Sequence, residues 1–412
     1  MVEISPFCAI RYNTNKISNF SKVICPPYDV IATPEYHQLL ERHPANLVRV
    51  ELPLTQGKED RYQVAARYWA RWQRQRLLLT DFEAGYYGYE QRFMVGTQTY
   101  TRRGFFAALR LERPGKGHVR PHERTFPKHK EDRLHLMRAT HANISPIFGI
   151  FFDRQQKAQA LLDTRMSDKP LVLTRDDKGV THRLWRWSDP TALRTLSQVL
   201  RSEDVLIADG HHRYETAWTY ACERADKDRS ADTKQRAYRY VMIFLCPLTD
   251  PGLVIQPTHR SVRWEGSLQE WQKRIGSDCS LQPVDSFNAL LARLRSSEKH
   301  TLLGMILEGG KLFWLKPKPG RISSHRLPVE YLHGQILKDI PLENITYSQD
   351  PRQMIENIHR SQANVAFLLP PPDKEAFAAI CRVGRLLPQK STYFYPKIST
   401  GFVMRSLDGN VT

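Results

Sequence analysis

One short stretch of the chain, Asp209-Gly210-His211-His212-Arg213, combines residue types that could hold a phosphate group. The glycine would let the backbone turn sharply without a steric penalty, and the arginine brings a planar fork of five N–H donors. The two histidines add ring N–H groups. If a helix begins here, its first amides have no partner within the helix and carry partial positive charge. The stretch therefore predicts a phosphate-binding turn, with Asp209 as a base or a magnesium ligand.

The flanking sequence predicts the elements that would position this turn. Residues 205–208 are an apolar run typical of a short buried strand, and apolar residues recur at helical spacing through 214–224. The turn would then join a strand to a helix. The alternative is that Asp209 only caps the helix and the basic residues form a solvated rim. Two adjacent histidines and an arginine at one helix start favour the functional interpretation.

A second basic stretch offers more groups for the same chemistry. Residues 101–141 contain eleven lysines and arginines, four acidic residues and five histidines. Polyphosphate binding needs several cations, and magnesium on that phosphate needs one or two carboxylates. By itself the stretch could also be a salt-bridged surface loop and helix start. We predict further site residues here: His122 and Glu123 in catalysis, and Lys130 and Arg133 in phosphate binding.

Two other positions give weaker signals. Asp29 follows Pro26-Pro27-Tyr28, a stiff turn that could position its carboxylate, but composition favours a structural turn. His259-Arg260 ends a predicted strand and could donate to phosphate, although a single histidine at such a place is more often structural.

Several common site patterns are absent from the sequence. Residues 384–391 do not form a Walker loop, because Gln389 stands where the pattern requires a glycine before the lysine. Gly-x-Gly-x-x-Gly, His-Glu-x-x-His and Gly-x-Ser-x-Gly are also missing. Dinucleotide-binding, zincin and α/β-hydrolase interpretations therefore have no support.

The composition indicates a globular protein with more than one core, because 412 residues exceed the roughly 250–300 at which single cores stop growing. Its six cysteines form no Cys-x-x-Cys pair, which is typical of reduced thiols. No apolar run approaches the roughly 18 residues of a membrane span. The first residues also do not resemble a signal peptide. We therefore expect a cytoplasmic protein.

The net charge of +18 indicates an anionic partner. A basic surface attracts nucleic acids, anionic membranes and phosphorylated small molecules alike. No helix-turn-helix, RNP or basic-zipper pattern is evident, so the charge is the main support for a nucleic-acid partner.

The order of predicted elements indicates an α+β fold with mixed sheets and packed helices. The main expected elements are a half-buried strand at 47–52, an amphipathic helix at 63–79, paired strands at 86–93 and 97–111, and a buried strand at 147–152. We divide the chain into three blocks, 1–152, 153–260 and 261–412, of which the second carries the Asp-Gly-His-His-Arg turn.

Seven stretches are distinctive in combination. They are Cys25-Pro-Pro-Tyr-Asp-Val-Ile31, His122-Glu123 with Thr125, Lys130-Glu-Asp-Arg-Leu134, Asn143-Ile-Ser-Pro-Ile147, Ile207-Ala-Asp-Gly-His-His-Arg-Tyr-Glu-Thr-Ala217, Pro257-Thr-His-Arg260 and Pro388-Gln-Lys-Ser-Thr-Tyr-Phe-Tyr-Pro-Lys397. Together they resemble a mostly prokaryotic family, domain of unknown function 1015, over almost the whole chain. The resemblance implies family membership and assigns no activity.

Residues 209–213 also resemble the phosphate-binding turn of the ParB/sulfiredoxin superfamily, whose members hold nucleotide phosphates at a helix start. The resemblance implies a ParB/sulfiredoxin-like phosphate-binding core. A free serine kinase of this superfamily has a turn that begins Asp-Gly-His, with the aspartate important for phosphoryl transfer, and Asp209-Gly210-His211 matches it. Sulfiredoxin has a reactive cysteine where this chain has His211, so the match does not imply thiol chemistry.

These patterns together predict a nucleotide-dependent enzyme, a small-molecule kinase or phosphotransferase, because positioning and charge neutralisation dominate phosphoryl transfer. The expected cofactor is Mg²⁺ with ATP or ADP, with the metal bound through Asp209 and Glu123. The expected partners are the nucleotide and a small-molecule acceptor. Two alternatives stay open: a nucleic-acid-binding ParB-like protein, and a non-catalytic sensor of a nucleotide or phosphometabolite.

Overall fold

The computed structural model describes residues 1–123, 127–228, 233–264, 266–276, 279–296, 303–318 and 327–412. The chain divides into two compact units. The first contains Met1–Pro121, Thr125–Leu253 and Pro396–Thr412, and the second contains His122–Arg124 and Val254–Tyr395. Both units combine helices and sheets, which confirms the α+β class with mixed sheets. Strands from both predicted blocks 1–152 and 153–260 join one sheet, and the division into three blocks stays a prediction.

The first unit is built around one large sheet. The strands of the first unit before residue 254 are β1 (Ile4–Ser5), β2 (Ile10–Tyr12), β3 (Leu78–Thr80), β4 (Tyr87–Val95), β5 (Gln98–Arg110), β6 (Val119–Arg120), β7 (Ala142–Asn143), β8 (Ile147–Phe151), β9 (Val172–Arg175), β10 (Thr181–Leu184), β11 (Val205–Asp209) and β12 (Tyr240–Pro247). Of these, β2 pairs with β3 outside the large sheet, and β7 also lies outside it. Its helices are α1 (Thr33–Arg42), α2 (Val48–Glu51), α3 (Arg61–Arg74), α4 (Pro127–Thr140), α5 (Lys157–Arg165), α6 (Pro190–Arg201) and α7 (His211–Lys227).

The strand order of the large sheet is β6-β11-β8-β12-β5-β4-β10-β9, with β1 paired to β5. The sheet is mixed, because β8 runs parallel to β12 and antiparallel to β11. Strands β8 and β12 are buried along their whole lengths, which explains their nearly continuous apolar sequences. Helices α6 and α7 contribute Leu196 and Ala217 to the core that contains Phe105, Ile147 and Ile243 of the sheet.

The predicted strand at 47–52 is wrong, because this segment contains the short helix α2. The cause is Asn46, whose side-chain oxygen accepts from the Val48 amide at 3.0 Å and whose NH₂ group donates to the Lys22 and Ile24 carbonyls. Such local side-chain bonds offer the backbone an alternative to a sheet. The paired strands at 86–93 and 97–111 and the buried strand at 147–152 are confirmed as β4, β5 and β8. The helix expected at 63–79 ends earlier, at Arg74, before β3.

The second unit has its own antiparallel sheet, of order β15-β17-β16-β19-β14-β18, and a separate pair of β13 with β20. The strands are β13 (Val254–Gln256), β14 (His259–Val262), β15 (Cys279–Pro283), β16 (Leu303–Leu307), β17 (Leu312–Pro317), β18 (Ile345–Ser348), β19 (Val365–Leu368) and β20 (Tyr393–Tyr395). The helices are α8 (Leu268–Ile275), α9 (Phe287–Arg295), α10 (Pro328–Tyr331), α11 (Pro351–His359) and α12 (Lys374–Arg382).

A small apolar core holds the second unit together. Leu290 of α9 and Met354 of α11 pack against Ile306 of β16 and Ala366 of β19. The chain then returns to the first unit, where β21 (Arg405–Ser406) pairs with β7. In the part of the chain that the structure describes, no helix has both the length and the apolar character of a membrane span.

Candidate phosphate-binding site

The predicted strand, turn and helix around Gly210 are confirmed. Strand β11 ends at Asp209, and Gly210 occupies the cap position of α7 with φ 86° and ψ 31°, in the left-handed region. A Cβ atom on Gly210 would lie 2.7 Å from Ile147 Cγ2, so both the backbone conformation and the packing favour glycine. Asp209 is therefore not the helix cap, and it is available for ion pairs instead.

Asp209 lies between two cations. Its Oδ2 accepts a hydrogen bond from Arg213 Nη2 at 2.6 Å, and its Oδ1 accepts one from Lys397 Nζ. Burial by itself raises the pKa of Asp209, but Lys397 and Arg213 together hold it well below the usual range. At neutral pH Asp209 is consequently a weak proton acceptor and a permanent anion that orients two positive groups.

Arg213 is nearly buried and is held on two sides. Besides Asp209, its guanidinium donates through Nη1 to the Pro146 carbonyl. Burial by itself lowers the pKa of Arg213. The negative charge of Asp209, with smaller effects of Asp29 and Glu51, more than offsets this, so that the pKa is raised overall. The exposed Asp29 therefore lies close enough to Arg213 to interact with it electrostatically. The sequence around Asp29 predicts only a structural turn.

Two predicted phosphate-binding residues lie on α4, which packs against α7. Lys130 Nζ forms an ion pair of 2.7 Å with Glu215 of α7. Arg133 donates to the Glu51 carbonyl at 2.7 Å and to Asp132, and its guanidinium lies 4.0 Å from the ring centroid of Tyr28. Both basic residues therefore lie in the first unit with the turn. Their binding of phosphate stays a prediction.

His122 and Glu123 fold with the second unit rather than with Asp209. His122 Nε2 and Thr392 Oγ1 are 2.9 Å apart, and the His122 carbonyl accepts from the Leu387 amide at 2.7 Å. Glu123 forms an isolated parallel bridge with the same leucine. These contacts join the His-Glu motif to the C-terminal motif at 388–397. A catalytic role of His122 and Glu123 with Asp209 stays a prediction, and Thr125 lies outside the described residues.

Two residues of this site, Lys397 and Glu51, are not among the predicted site residues. Lys397 ends the motif at 388–397. The only sequence signal for its contact with Asp209 is that both residues lie in motifs of the same family. Glu51 lies in the segment expected to be a strand, and it is fully buried. No periodic signal could have linked it to Arg133 and Arg213.

Within the described ranges, no group of three or more His, Cys, Asp or Glu residues is arranged to hold a metal ion. Asp209, a predicted magnesium ligand, already accepts from a cation at each carboxylate oxygen. Magnesium binding through Asp209 and Glu123 stays a prediction.

A family model described as "Protein of unknown function (DUF1015)" matches residues 4–338. The chain belongs to this family. The match confirms the resemblance drawn from the motifs, and it ends before the motif at 388–397. No curated protein matches the chain.

Several solved structures are similar to the chain at low sequence identity. A free serine kinase in complex with AMP has a TM-score of 0.35 and 12% identity, and the match covers 69% of this chain and 89% of that one. SbnI with a C-terminal truncation, from Staphylococcus aureus, has a TM-score of 0.39 and 9% identity over 74% and 87%. A conserved hypothetical protein from Pyrococcus furiosus has a TM-score of 0.33 and 12% identity over 69% and 92%.

Proposed function

We propose that the first unit binds a nucleotide with magnesium and transfers a phosphoryl group from it to a small-molecule acceptor. One observation carries the proposal: Asp209, at a strand end, holds Arg213 and Lys397 directly before the glycine that starts α7. A helix start supplies amide donors and partial positive charge, and the two cations add full charges. This combination suits the terminal phosphates of a nucleotide.

The chemistry requires little covalent participation by the protein. Phosphoryl transfer depends mainly on alignment of donor and acceptor and on neutralisation of the charge on the phosphoryl oxygens. In the proposed site Gly210, His211, His212 and Arg213 hold the phosphates. Asp209 keeps the cationic groups of Arg213 and Lys397 oriented. Magnesium bound with ATP or ADP would neutralise further phosphate charge.

Isothermal titration with ATP, ADP and CTP in the presence of MgCl₂ tests nucleotide binding. We expect the wild type to bind at least one of them and Arg213→Ala to bind it at least about tenfold more weakly, as loss of a charge-assisted contact implies. Arg194→Ala, at an exposed position of α6, is the matched control and should bind like the wild type. Absence of binding by the wild type, or equal binding by Arg213→Ala, would contradict the proposal.

Two further measurements separate the remaining functional classes. Release of labelled phosphate or labelled product from γ-³²P-ATP distinguishes an enzyme from a sensor, which would bind the nucleotide without turnover. A gel shift with DNA and RNA across a salt series addresses the +18 charge. Tight binding with a steep salt dependence would favour nucleic acid as the partner.

A further inference from the structure

We infer that a small cavity beside Glu51 is the acceptor subsite, where Glu51 accepts the proton from the hydroxyl group of a small primary alcohol. The inference rests on the proposed phosphotransferase function, which it deepens by assigning the acceptor class and the proton acceptor. It is carried by the burial of Glu51, by a carboxylate oxygen that no donor satisfies with good geometry, and by the cavity next to it.

Glu51 ends α2 and is fully buried. One carboxylate oxygen, Oε1, accepts from the Tyr28 amide at 3.2 Å. The other, Oε2, is shielded from solvent and accepts no hydrogen bond of good geometry within the described part of the chain, although the nearby Ser145 hydroxyl lowers the pKa of Glu51. A buried carboxylate oxygen that no donor satisfies with good geometry is costly and rare in folded proteins, which indicates that a stronger donor group binds here during function.

The donor has a place to bind. A cavity of about 30 Å³ is lined by Glu51, Arg133, Asn143, Ser145 and Arg213, with apolar side chains on the remaining wall. In this measure a cavity of about 10–15 Å³ already holds one water molecule. The space therefore fits a hydroxyl group on a slim carbon, as in a primary alcohol, more readily than one on a branched tertiary carbon.

Arg213 connects this cavity to the phosphate-binding turn. Arg213 is one of the residues that line the cavity, and its guanidinium forms the ion pair with Asp209. A group that enters the cavity thus lies beside the same arginine that is proposed to hold the phosphate. Reacting groups gain most from such a shared anchor when it fixes their mutual orientation.

Glu51 is better suited than Asp209 to accept a proton. Burial raises the pKa of Glu51, and Arg133 and Arg213 only partly oppose this effect. Burial also raises the pKa of Asp209, but Lys397 and Arg213 outweigh this effect and hold that pKa low. A general base works best when its pKa lies nearer to the working pH, so the two carboxylates divide into a base and a charge-orienting group.

The proposed step is balanced without a further reagent. The alcohol oxygen attacks the γ-phosphorus of ATP, and a new O–P bond forms. The bond between that phosphorus and the β,γ-bridging oxygen breaks, and ADP leaves with the electron pair. The hydroxyl proton passes to Glu51 Oε2 and is later released to solvent.

The test uses the full chain with Mg-ATP and ethanol as acceptor, with ethyl phosphate measured by ³¹P NMR and tert-butanol as the disfavoured alcohol. We expect Glu51→Gln to lower kcat by about 10²–10⁴-fold, the usual contribution of a general base, and to leave the nucleotide Kd within about twofold. The fall in wild-type kcat/KM on acidification should be lost in this variant. Glu41→Gln, at an exposed position of α1, is the matched control.

A second variant addresses the cavity without touching the carboxylate. Ala142 lines the cavity, and Ala142→Val should raise the KM for ethanol at least about tenfold with an unchanged Kd for ATP, because the added methyl groups occupy the acceptor space. Wild-type turnover and an unchanged pH profile in Glu51→Gln, together with an unchanged ethanol KM in Ala142→Val, would overturn the acceptor-site inference but not the proposed function. A wild type that binds no nucleotide would overturn the proposed function itself.

Discussion

Asp209 and Lys397 form an ion pair although they are 188 positions apart in the chain. Lys397 belongs to the C-terminal segment Pro396–Thr412, which returns to the first unit after the second unit is complete. The large sheet fixes the start of this segment. Gln91 donates to the Lys397 carbonyl at 3.1 Å, and the buried Arg102 donates to the Pro396 carbonyl. The C-terminal segment therefore supplies one of the two cations that contact Asp209, in the turn proposed to bind phosphate.

Lys397→Ala tests this dependence. The variant removes one of the two cations that contact the Asp209 carboxylate and leaves Arg213 in place. We expect the free energy of unfolding to fall by about 3 kcal/mol, as for a broken buried ion pair, measured by urea denaturation. Lys157→Ala, at an exposed position of α5, should change it by less than about 0.5 kcal/mol. Equal stability of the two variants would show that the pair does not hold the segment.

The effect of Asp209→Asn on the free energy of unfolding should depend on pH. The pKa of Asp209 is lower in the folded protein than the value of about 3.9 in an unfolded chain, so its ionised form stabilises the fold above that pH. As pH falls below about 4 this contribution is lost. The stability gap between wild type and Asp209→Asn should therefore be widest at neutral pH and should narrow between about pH 4 and pH 2.5. Urea titrations at several pH values measure it, and a gap independent of pH would be contrary to this assignment.

Much of the fold follows from local sequence patterns. Strands β4, β5 and β8 and the strand–turn–helix at Gly210 were predictable because alternation, apolar runs and a turn glycine are encoded within a few residues. Helix α2 was not predictable, because residues 47–52 alternate like a strand. The helix depends on Asn46, which accepts from the Val48 amide and also donates to the distant Lys22 and Ile24 carbonyls. Long-range hydrogen bonds of this kind leave no periodic trace.

The site was predictable only in part for the same reason. The turn residues are consecutive, so their types alone suggested phosphate binding. The partners of Asp209 and the burial of Glu51 depend on segments that are far apart in the sequence. Residue type alone predicts that His122 and Glu123 act with Asp209, whereas their observed partners, Leu387 and Thr392, belong to the second unit.

Gly210→Ala should show that the turn needs glycine for two reasons. Its φ of 86° is unfavourable for alanine, and the new Cβ would approach Ile147 Cγ2 to 2.7 Å and Arg213 Nε to 3.0 Å. Gly96→Ala is the matched control, since Gly96 also has a positive φ, 60°, but no described heavy atom would lie within 4 Å of the added methyl group. We expect Gly210→Ala to cost at least about 1 kcal/mol more than Gly96→Ala, because overpacking adds to the backbone strain. Thermal unfolding of the two variants measures the difference, and equal costs would argue against the close packing.

His259 in the second unit makes the last prediction. Its Nδ1 accepts from the Leu369 amide at 3.1 Å, and burial, aided by the charge of Arg260, lowers its pKa to about 3. Burial likewise lowers the pKa of His333, which accepts from Arg260 through Nε2, to about 3. Both imidazoles therefore stay neutral in the folded protein, while in the unfolded chain they take up protons below about pH 6.5.

Between about pH 6.5 and pH 3 the unfolded chain binds more protons than the folded one. The free energy of unfolding should therefore decrease as the pH is lowered through this window. Each such histidine contributes a slope of at most about 1.4 kcal/mol per pH unit. His259→Asn keeps an acceptor for the Leu369 amide but does not titrate, so its unfolding free energy should fall less steeply between about pH 6.5 and pH 4.5. His359→Asn, at the exposed end of α11, should retain the wild-type slope. Parallel curves for wild type and His259→Asn in urea titrations would show that His259 is protonated in the folded protein, contrary to its burial against Arg260.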